Sequence, residues 1–148
     1  MKVSMCLTVV LMLVGCQHTG ERVTIGEEFK TFVLLLNENG EELKRQSIYS
    51  GLWSEAVYLD DEVDKIVLVM DLGRQLPFNW QIWLWQGIDH KVLLMEGYEA
   101  WQPIGVLVDS QKVLDYDAVE IIGWRGSRID QAAWRFSRYI RFYEKERM

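Results

Sequence analysis

Histidine and cysteine, which supply most catalytic bases, nucleophiles and metal ligands, are scarce in this sequence. Its 148 residues include two histidines and two cysteines. His18 and His90 lie far apart, and two isolated histidines do not form an ordinary zinc site without help from carboxylates. No H-E-x-x-H, G-x-S-x-G, glycine-rich phosphate loop or dinucleotide fingerprint occurs. The sequence therefore predicts no catalytic residue, no metal site and no cofactor, and it disfavours an enzyme.

A long apolar run is also missing. The best candidate, Val3–Val14, follows Met1 and Lys2 and is interrupted by polar Ser4 and Thr8. A helix that crosses a bilayer needs about 20 apolar residues, so this run is too short to span one comfortably. A positive start, a short apolar run and a small residue at its end are typical of a secretory signal peptide.

The end of that run, Leu13-Val14-Gly15-Cys16, resembles the lipobox of bacterial lipoproteins at all four positions. In that family the signal is cut before the cysteine, which carries a diacylglycerol and an acylated amine. The resemblance implies that Cys16 is lipidated, and more than one buried acyl chain makes anchoring effectively permanent. Gln17 stands where the enteric sorting rule places Asp for inner-membrane retention, which implies the outer membrane, facing the periplasm. The alternatives are an ordinary secretory signal and a buried helix of a cytosolic domain.

The resemblance, which covers residues 1–17 and implies no activity, divides the chain. Residues 1–15 are expected to be the signal peptide, 16–28 a polar lipidated tether and 29–148 a single β-rich domain. Cys6 would leave with the signal and Cys16 would be lipidated, so the domain is expected to contain no disulfide. Packing would then have to stabilise it, for which seven Trp, six Tyr and five Phe are present in the chain.

Charge is unevenly distributed. The chain has a formal net charge of −6, yet basic residues predominate after residue 124. The overall sign and the expected compartment both disfavour nucleic acid as a partner. Arg135, Arg138 and Arg141 form a candidate basic surface for acidic lipid headgroups or an acidic partner. The alternative is a solvated edge strand whose arginines block edge pairing.

Short apolar segments between turn signals predict a mainly β protein. Asn39-Gly40, between Phe32–Leu36 and Leu43–Tyr49, is a strong hairpin signal, and the second strand is expected at a sheet edge. Lys65–Asp71 is the clearest buried strand. Further strands are expected at Trp53–Leu59, Asn79–Gln86, Val92–Met95, Ile104–Val108 and Tyr116–Trp124. With no βα alternation, the pattern predicts a single antiparallel β-sandwich or barrel-like domain.

Two segments leave alternatives open. The acidic residues between Asp60 and Asp64 could form a calcium loop, but they lack the EF-hand spacing and its glycine, which favours a solvated turn. Ser127 and Asp130 could cap a C-terminal helix. A strand would instead place one set of side chains on a single face, with Arg138 as the only violation. This set is Trp134, Phe136, Ile140 and Phe142. The aromatic enrichment favours the strand.

The segment Asn79–Gln86 contains the strongest candidate binding residues. Alternation along a strand assigns Trp80, Ile82 and Leu84 to the core. The opposite face would carry Gln81, Trp83 and Trp85, and Trp101 is the fourth candidate. Exposed indoles bind sugars through their ring faces and anchor protein interfaces. The alternative is that both faces are buried in a sandwich.

The sequence therefore favours a binding or assembly function, in which a small accessory lipoprotein holds another envelope protein at the outer membrane. The second hypothesis is a carbohydrate- or peptidoglycan-binding lipoprotein that uses the tryptophan face. The third is an envelope hydrolase that uses a carboxylate pair such as Asp115 and Asp117. A groove lined by Trp83 and Trp85 would favour the glycan, and a flat apolar patch or an open sheet edge would favour assembly.

Overall fold

The computed structural model describes residues 30–49, 54–71, 73, 77–126, 129 and 135–145. Cys16, the expected signal peptide and tether, and Trp53, Ser127, Asp130 and Trp134 lie outside these residues. The described part contains nine strands and one short helix. They are β1 (Lys30–Leu36), β2 (Glu42–Ile48), β3 (Glu55–Leu59), β4 (Lys65–Asp71), β5 (Phe78–Gln86), β6 (His90–Ala100), β7 (Ile104–Asp109), α1 (Ser110–Leu114), β8 (Ala118–Trp124) and β9 (Arg135–Glu144).

The strands form two packed sheets, which confirms the predicted β-sandwich. One sheet has four strands in the order β2-β1-β4-β7, and the other has five in the order β3-β9-β8-β5-β6. Paired strands are antiparallel except β3 and β9, which run parallel. Alternate side chains of both sheets meet in the core between them, where Val33, Leu68, Ile82, Ile121 and Ile140 have no exposed surface.

The predicted hairpin joins β1 and β2. Asn37 Oδ1 accepts hydrogen bonds from the backbone N–H groups of Asn39 and Glu41, each at 2.9 Å, and Gly40 has a φ of 80°. Strand β2 lies at the sheet edge, as predicted. Its Gln46 Nε2 donates to the carbonyl oxygen of Ala56 in β3 at 2.9 Å, so this contact links the edges of the two sheets.

Large rings and glycines alternate across the inner face of the five-stranded sheet. Trp80 lies between Gly97 and Gly123 on the neighbouring strands, and Phe136 lies opposite Gly123. A Cβ on Gly97 would lie 2.5 Å from Trp80 Nε1, and one on Gly123 would overlap the Phe136 ring. The glycines therefore provide the space that these two rings occupy.

The C-terminal segment is a strand over its described residues, as the aromatic pattern favoured. Phe136, Ile140 and Phe142 point into the core, and Arg138 shares their face and is 8% exposed. Helix α1 was not predicted, because five residues provide too little periodicity to be recognised. Its Val113 contributes to the core. Across the described residues, no helix is long and apolar enough to cross a membrane.

The four-stranded sheet is apolar on both faces. Phe32, Leu34 and Leu36 of β1 and Val67 and Val69 of β4 alternate with the core residues and point away from the other sheet. These five side chains form a second cluster, and none is more than 8% exposed. The continuous apolar runs of β1 and β4 in the sequence correspond to this double-sided burial.

Candidate functional site

The outer face of the five-stranded sheet carries the predicted tryptophans. Trp80, Ile82 and Leu84 are buried in the core, as the alternation predicted, and Gln81, Trp83 and Trp85 point to the opposite side. The two outward indoles are half-buried, which is more burial than the sequence suggested. Lys91 of β6 lies over both rings, and Glu120 of β8 accepts a hydrogen bond from Trp85.

Glu120 lies at the centre of this face, on β8. The residue is 5% exposed, and both carboxylate oxygens accept hydrogen bonds from aromatic side chains. Trp85 Nε1 donates to Oε1 at 2.9 Å, and the Tyr139 hydroxyl donates to Oε2 at 2.7 Å. The strand register permits this arrangement, because Tyr139 lies opposite Glu120 on β9 and Trp85 lies on the other neighbouring strand.

Lys91 covers the two indoles from the edge strand β6. Its Nζ lies 4.4 Å from the ring centre of Trp83 and 5.2 Å from that of Trp85, within the range of cation–π attraction. The same Nζ is 4.0 Å from Glu120 Oε1. The indole N–H of Trp83 donates to Gln81 Oε1 at 3.0 Å. Both indole N–H groups therefore donate to neighbouring side chains, and Lys91 lies over one face of each ring.

The pKa of Tyr139 is the most perturbed one on this face. Burial, the hydrogen bond to Glu120 and the charge of that carboxylate together raise the pKa of the phenol from 10.0 to about 12. Tyr139 therefore stays protonated at neutral pH and acts as a hydrogen-bond donor. The cluster presents two half-buried indole rings and an ammonium group at the surface, and the buried carboxylate of Glu120 holds them in place.

Strand β6 forms an open edge beside this cluster. It runs for eleven residues, and in the described part of the chain it pairs only with β5. Its apolar side chains are exposed: Val92 by 41%, Leu93 by 38%, Met95 by 48% and Tyr98 by 57%. Leu93 lies opposite Trp83 and continues the aromatic face onto the edge, whereas Val92 and Met95 lie opposite the core residues Leu84 and Ile82 and belong to the other face of β6. We call Trp83, Trp85, Lys91 and the exposed side chains of β6 the edge surface.

Trp101 does not belong to the edge surface. It follows the end of β6 and is 70% exposed, and the neighbouring Ala100 pairs with Phe78 at the start of β5. Trp85 lies seven residues further along β5, which corresponds to about 23 Å of strand. The structure therefore places Trp101 at the opposite end of the sheet from Trp85.

The predicted basic surface is wrong in including Arg138. Positions 135 and 138 differ by an odd number, so a strand places them on opposite faces. Arg135 and Arg141 are exposed, whereas Arg138 points inward, and burial lowers the pKa of its guanidinium. Arg138 Nη1 donates to the carbonyl oxygen of Ser137 at 2.9 Å. Arg135 and Arg141 are six residues apart, about 20 Å along β9, and do not form one patch.

Sequence reasoning missed Lys91, Glu120 and Tyr139 as members of the cluster. One signal was present, because Glu120 is a single acidic residue between Val119 and Ile121 in a strand that was correctly expected. A carboxylate in such a position needs partners when it is buried. The identity of those partners depends on strand pairing, which the sequence did not indicate.

A concave surface lies beside the edge strands β2 and β3. It encloses about 830 Å³ and is bordered by Leu43, Tyr58 and Tyr143. The two tyrosine rings are stacked with their centres 5.6 Å apart. The acidic segment at its rim forms a turn, in which Asp60 Oδ1 accepts the N–H of Glu62 at 3.0 Å. Within the described ranges, no three His, Cys, Asp or Glu side chains are grouped to hold a metal ion.

The chain matches no protein-family model, and it matches no curated protein sequence. Its function is therefore argued from the edge surface and from the N-terminal sequence.

Proposed function

We propose that this protein is a lipid-anchored accessory protein of the bacterial cell envelope that binds a partner protein through the edge surface. Anchoring is supported by Leu13-Val14-Gly15-Cys16, and the outer membrane by Gln17. In this proposal the protein faces the periplasm, needs no cofactor other than the lipid on Cys16, and catalyses no reaction.

The observation that carries the proposal is the open, apolar edge of β6. An edge strand presents backbone N–H and C=O groups that another strand can pair with, and proteins ordinarily protect such edges with charges, bulges or short length. Strand β6 has charged residues and two irregularities in its pairing with β5, yet four apolar side chains of this eleven-residue strand are each at least 38% exposed. Addition of a partner strand would pair the backbone and cover these side chains.

The glycan hypothesis has weaker support. Sugars stack on open indole faces, but Lys91 lies over both rings and the indole N–H groups already donate to Gln81 and Glu120. We therefore favour a protein partner.

The anchoring half of the proposal is tested with labelled palmitate. The full chain expressed in bacteria should incorporate the label and fractionate with the outer membrane, and Cys16→Ser should do neither. Processing and membrane attachment of Cys16→Ser would contradict a lipid anchor at this residue.

The binding half is tested by photo-cross-linking in intact cells. Tyr98 on β6 and Tyr58 on β3 are 57% and 58% exposed, so they form a matched pair of positions. A benzoylphenylalanine at position 98 should give a discrete adduct with another protein, and one at position 58 should not. Adducts of equal yield at both positions, adducts only with glycan, or no adduct at position 98 would each contradict the proposal.

A further inference from the structure

Two exposed tyrosines form an aromatic surface at the opposite edge of the five-stranded sheet from the edge surface. Tyr58 of β3 pairs with Tyr143 of β9, and their rings stack with centres 5.6 Å apart and 28° between their planes. Tyr58 is 58% exposed, and Tyr143 is 41% exposed. Among the described residues no other ring and no cation is stacked on either of them. The pair therefore presents uncovered aromatic surface, unlike the indoles beneath Lys91.

The concave surface beside these rings is held in shape by the core of the domain. Leu35 and Val63, which also line it, belong to the hydrophobic core cluster. The turn that carries Val63 is fixed to β1, because the N–H of Asp64 donates to the carbonyl oxygen of Leu36 at 2.8 Å. Its volume of about 830 Å³ is in the range that small-molecule sites occupy. The fold itself therefore forms this surface before any ligand binds.

Four charged side chains line the same surface without partners of their own. They are Lys44, Glu62, Glu144 and Lys145. Within the described ranges, none of the four forms a side-chain hydrogen bond or an ion pair. Ammonium groups donate hydrogen bonds and carboxylates accept them, so a ligand on the tyrosines would find both kinds of group free. We call the two tyrosines and these four side chains the tyrosine site.

We propose that the tyrosine site binds a saccharide. A sugar ring has an apolar C–H face that packs against an aromatic ring, and its hydroxyl groups both donate and accept hydrogen bonds. These hydroxyls can donate to the two glutamates and accept from the two lysines. A ligand with charge of a single sign is disfavoured, because it would be attracted by one pair and repelled by the other.

The same surroundings disfavour an added polypeptide strand at this edge. Strand β3 has only five residues, and Gln46 of β2 already donates to the carbonyl oxygen of Ala56. Little backbone is therefore left for a partner strand to pair with, in contrast to the eleven residues of β6. A saccharide at the tyrosine site and a protein at the edge surface can be bound at the same time. The inference thus concerns a second site and does not rest on the proposed function.

The proposal is tested with the full chain extracted into an amine-oxide detergent, which has no sugar headgroup. The probe is an array of chitin, cellulose, maltose-type and peptidoglycan oligosaccharides, and we expect at least one of them to bind. Tyr58→Ala and Tyr143→Ala should each weaken that binding by about tenfold or more. Tyr58→Phe keeps the ring and should retain most of the affinity. Tyr49→Ala removes a tyrosine that is 72% exposed outside the site, and it should change nothing.

Two further variants test the polar part of the site at exposed positions. Lys44→Met and Glu144→Gln should each lower the affinity, and they take the place of the tyrosine variants if those do not fold. An array that binds no saccharide, or binding that is unchanged in all these variants, would overturn the proposal. An equal loss in Trp83→Ala would place the sugar at the edge surface and would also overturn it. The protein adduct at position 98 should persist in Tyr58→Ala, so failure of partner binding and failure of saccharide binding are separate results.

Discussion

Trp85 and Glu120 are 35 residues apart in the chain, and the indole Nε1 of one donates to a carboxylate oxygen of the other at 2.9 Å. The second oxygen of Glu120 accepts a hydrogen bond from the Tyr139 hydroxyl. Lys91 Nζ lies 4.0 Å from the first oxygen, the one that Trp85 bonds. Glu120 is 5% exposed, and burying its carboxylate would be costly without such partners. The cluster therefore stabilises the half-buried face of the sheet and also holds the rings of the edge surface in place.

Glu120→Gln should destabilise the protein. An amide keeps one acceptor oxygen, so either Trp85 or Tyr139 loses its acceptor, and Lys91 loses the opposite charge. We expect the free energy of unfolding, measured in urea, to fall by about 1–3 kcal/mol. Glu96→Gln changes an exposed carboxylate on the same face and should have little effect. Equal losses in the two variants would contradict this account of Glu120.

Tyr139 should make stability depend on alkaline pH. Its pKa is raised from 10.0 to about 12, because burial and the Glu120 carboxylate both disfavour the phenolate. The folded state thus holds the proton more tightly than the unfolded state. This contribution is fully present below pH 10 and is lost as the pH rises through about 12. Denaturant titrations at several pH values should show a smaller alkaline loss in Tyr139→Phe, and an equal loss in both proteins would contradict the assignment.

Leu84→Ala and Trp83→Ala should have different effects on stability and binding, because the two side chains lie on opposite faces of β5. Leu84 is 1% exposed in the core, so its truncation should cost about 2–5 kcal/mol of unfolding free energy. Trp83 is half-buried on the edge surface, and Trp83→Ala should cost less stability while reducing the adduct formed at position 98. Thermal melts of both variants test the stability difference. A larger loss of stability in Trp83→Ala than in Leu84→Ala would show that the outer face of β5 serves to stabilise the fold rather than to bind a partner. Trp85→Ala should fall between them, because it also removes a donor from Glu120.

Gly123→Ala should disturb packing in the core. The added methyl group would overlap the Phe136 ring, so the ring or the strand must move. We expect a loss of about 1–3 kcal/mol, typical of overpacking. Phe136→Leu shortens the opposing side chain, and in that background Gly123→Ala should cost less. Additive losses, measured by equilibrium unfolding of the two single variants and the double variant, would show that the two positions are not in contact.

Much of the strand content followed from the sequence, because it depends on local alternation. Asn39-Gly40 indicated the first hairpin, and the period of two assigned Leu84 inward and Trp83 outward. The full length of β6 was not predicted beyond Met95, because Glu96, Gly97 and Glu99 interrupt the apolar pattern. These residues are in a strand because β5 pairs with them, as Trp80 does with Gly97. Pairing of this kind is a tertiary effect that local sequence does not encode.

The sequence by itself determined which side chains share a face of each strand, since that depends only on backbone geometry. The same geometry explains why Arg138 cannot share an outward surface with Arg135. The sequence predicted the edge position of β2, but only the tertiary structure decided that the exposed apolar strand β6 also lies at an edge. It also brought Glu120 between Trp85 and Tyr139, because strand order and register are set by packing of the two sheets over the whole domain.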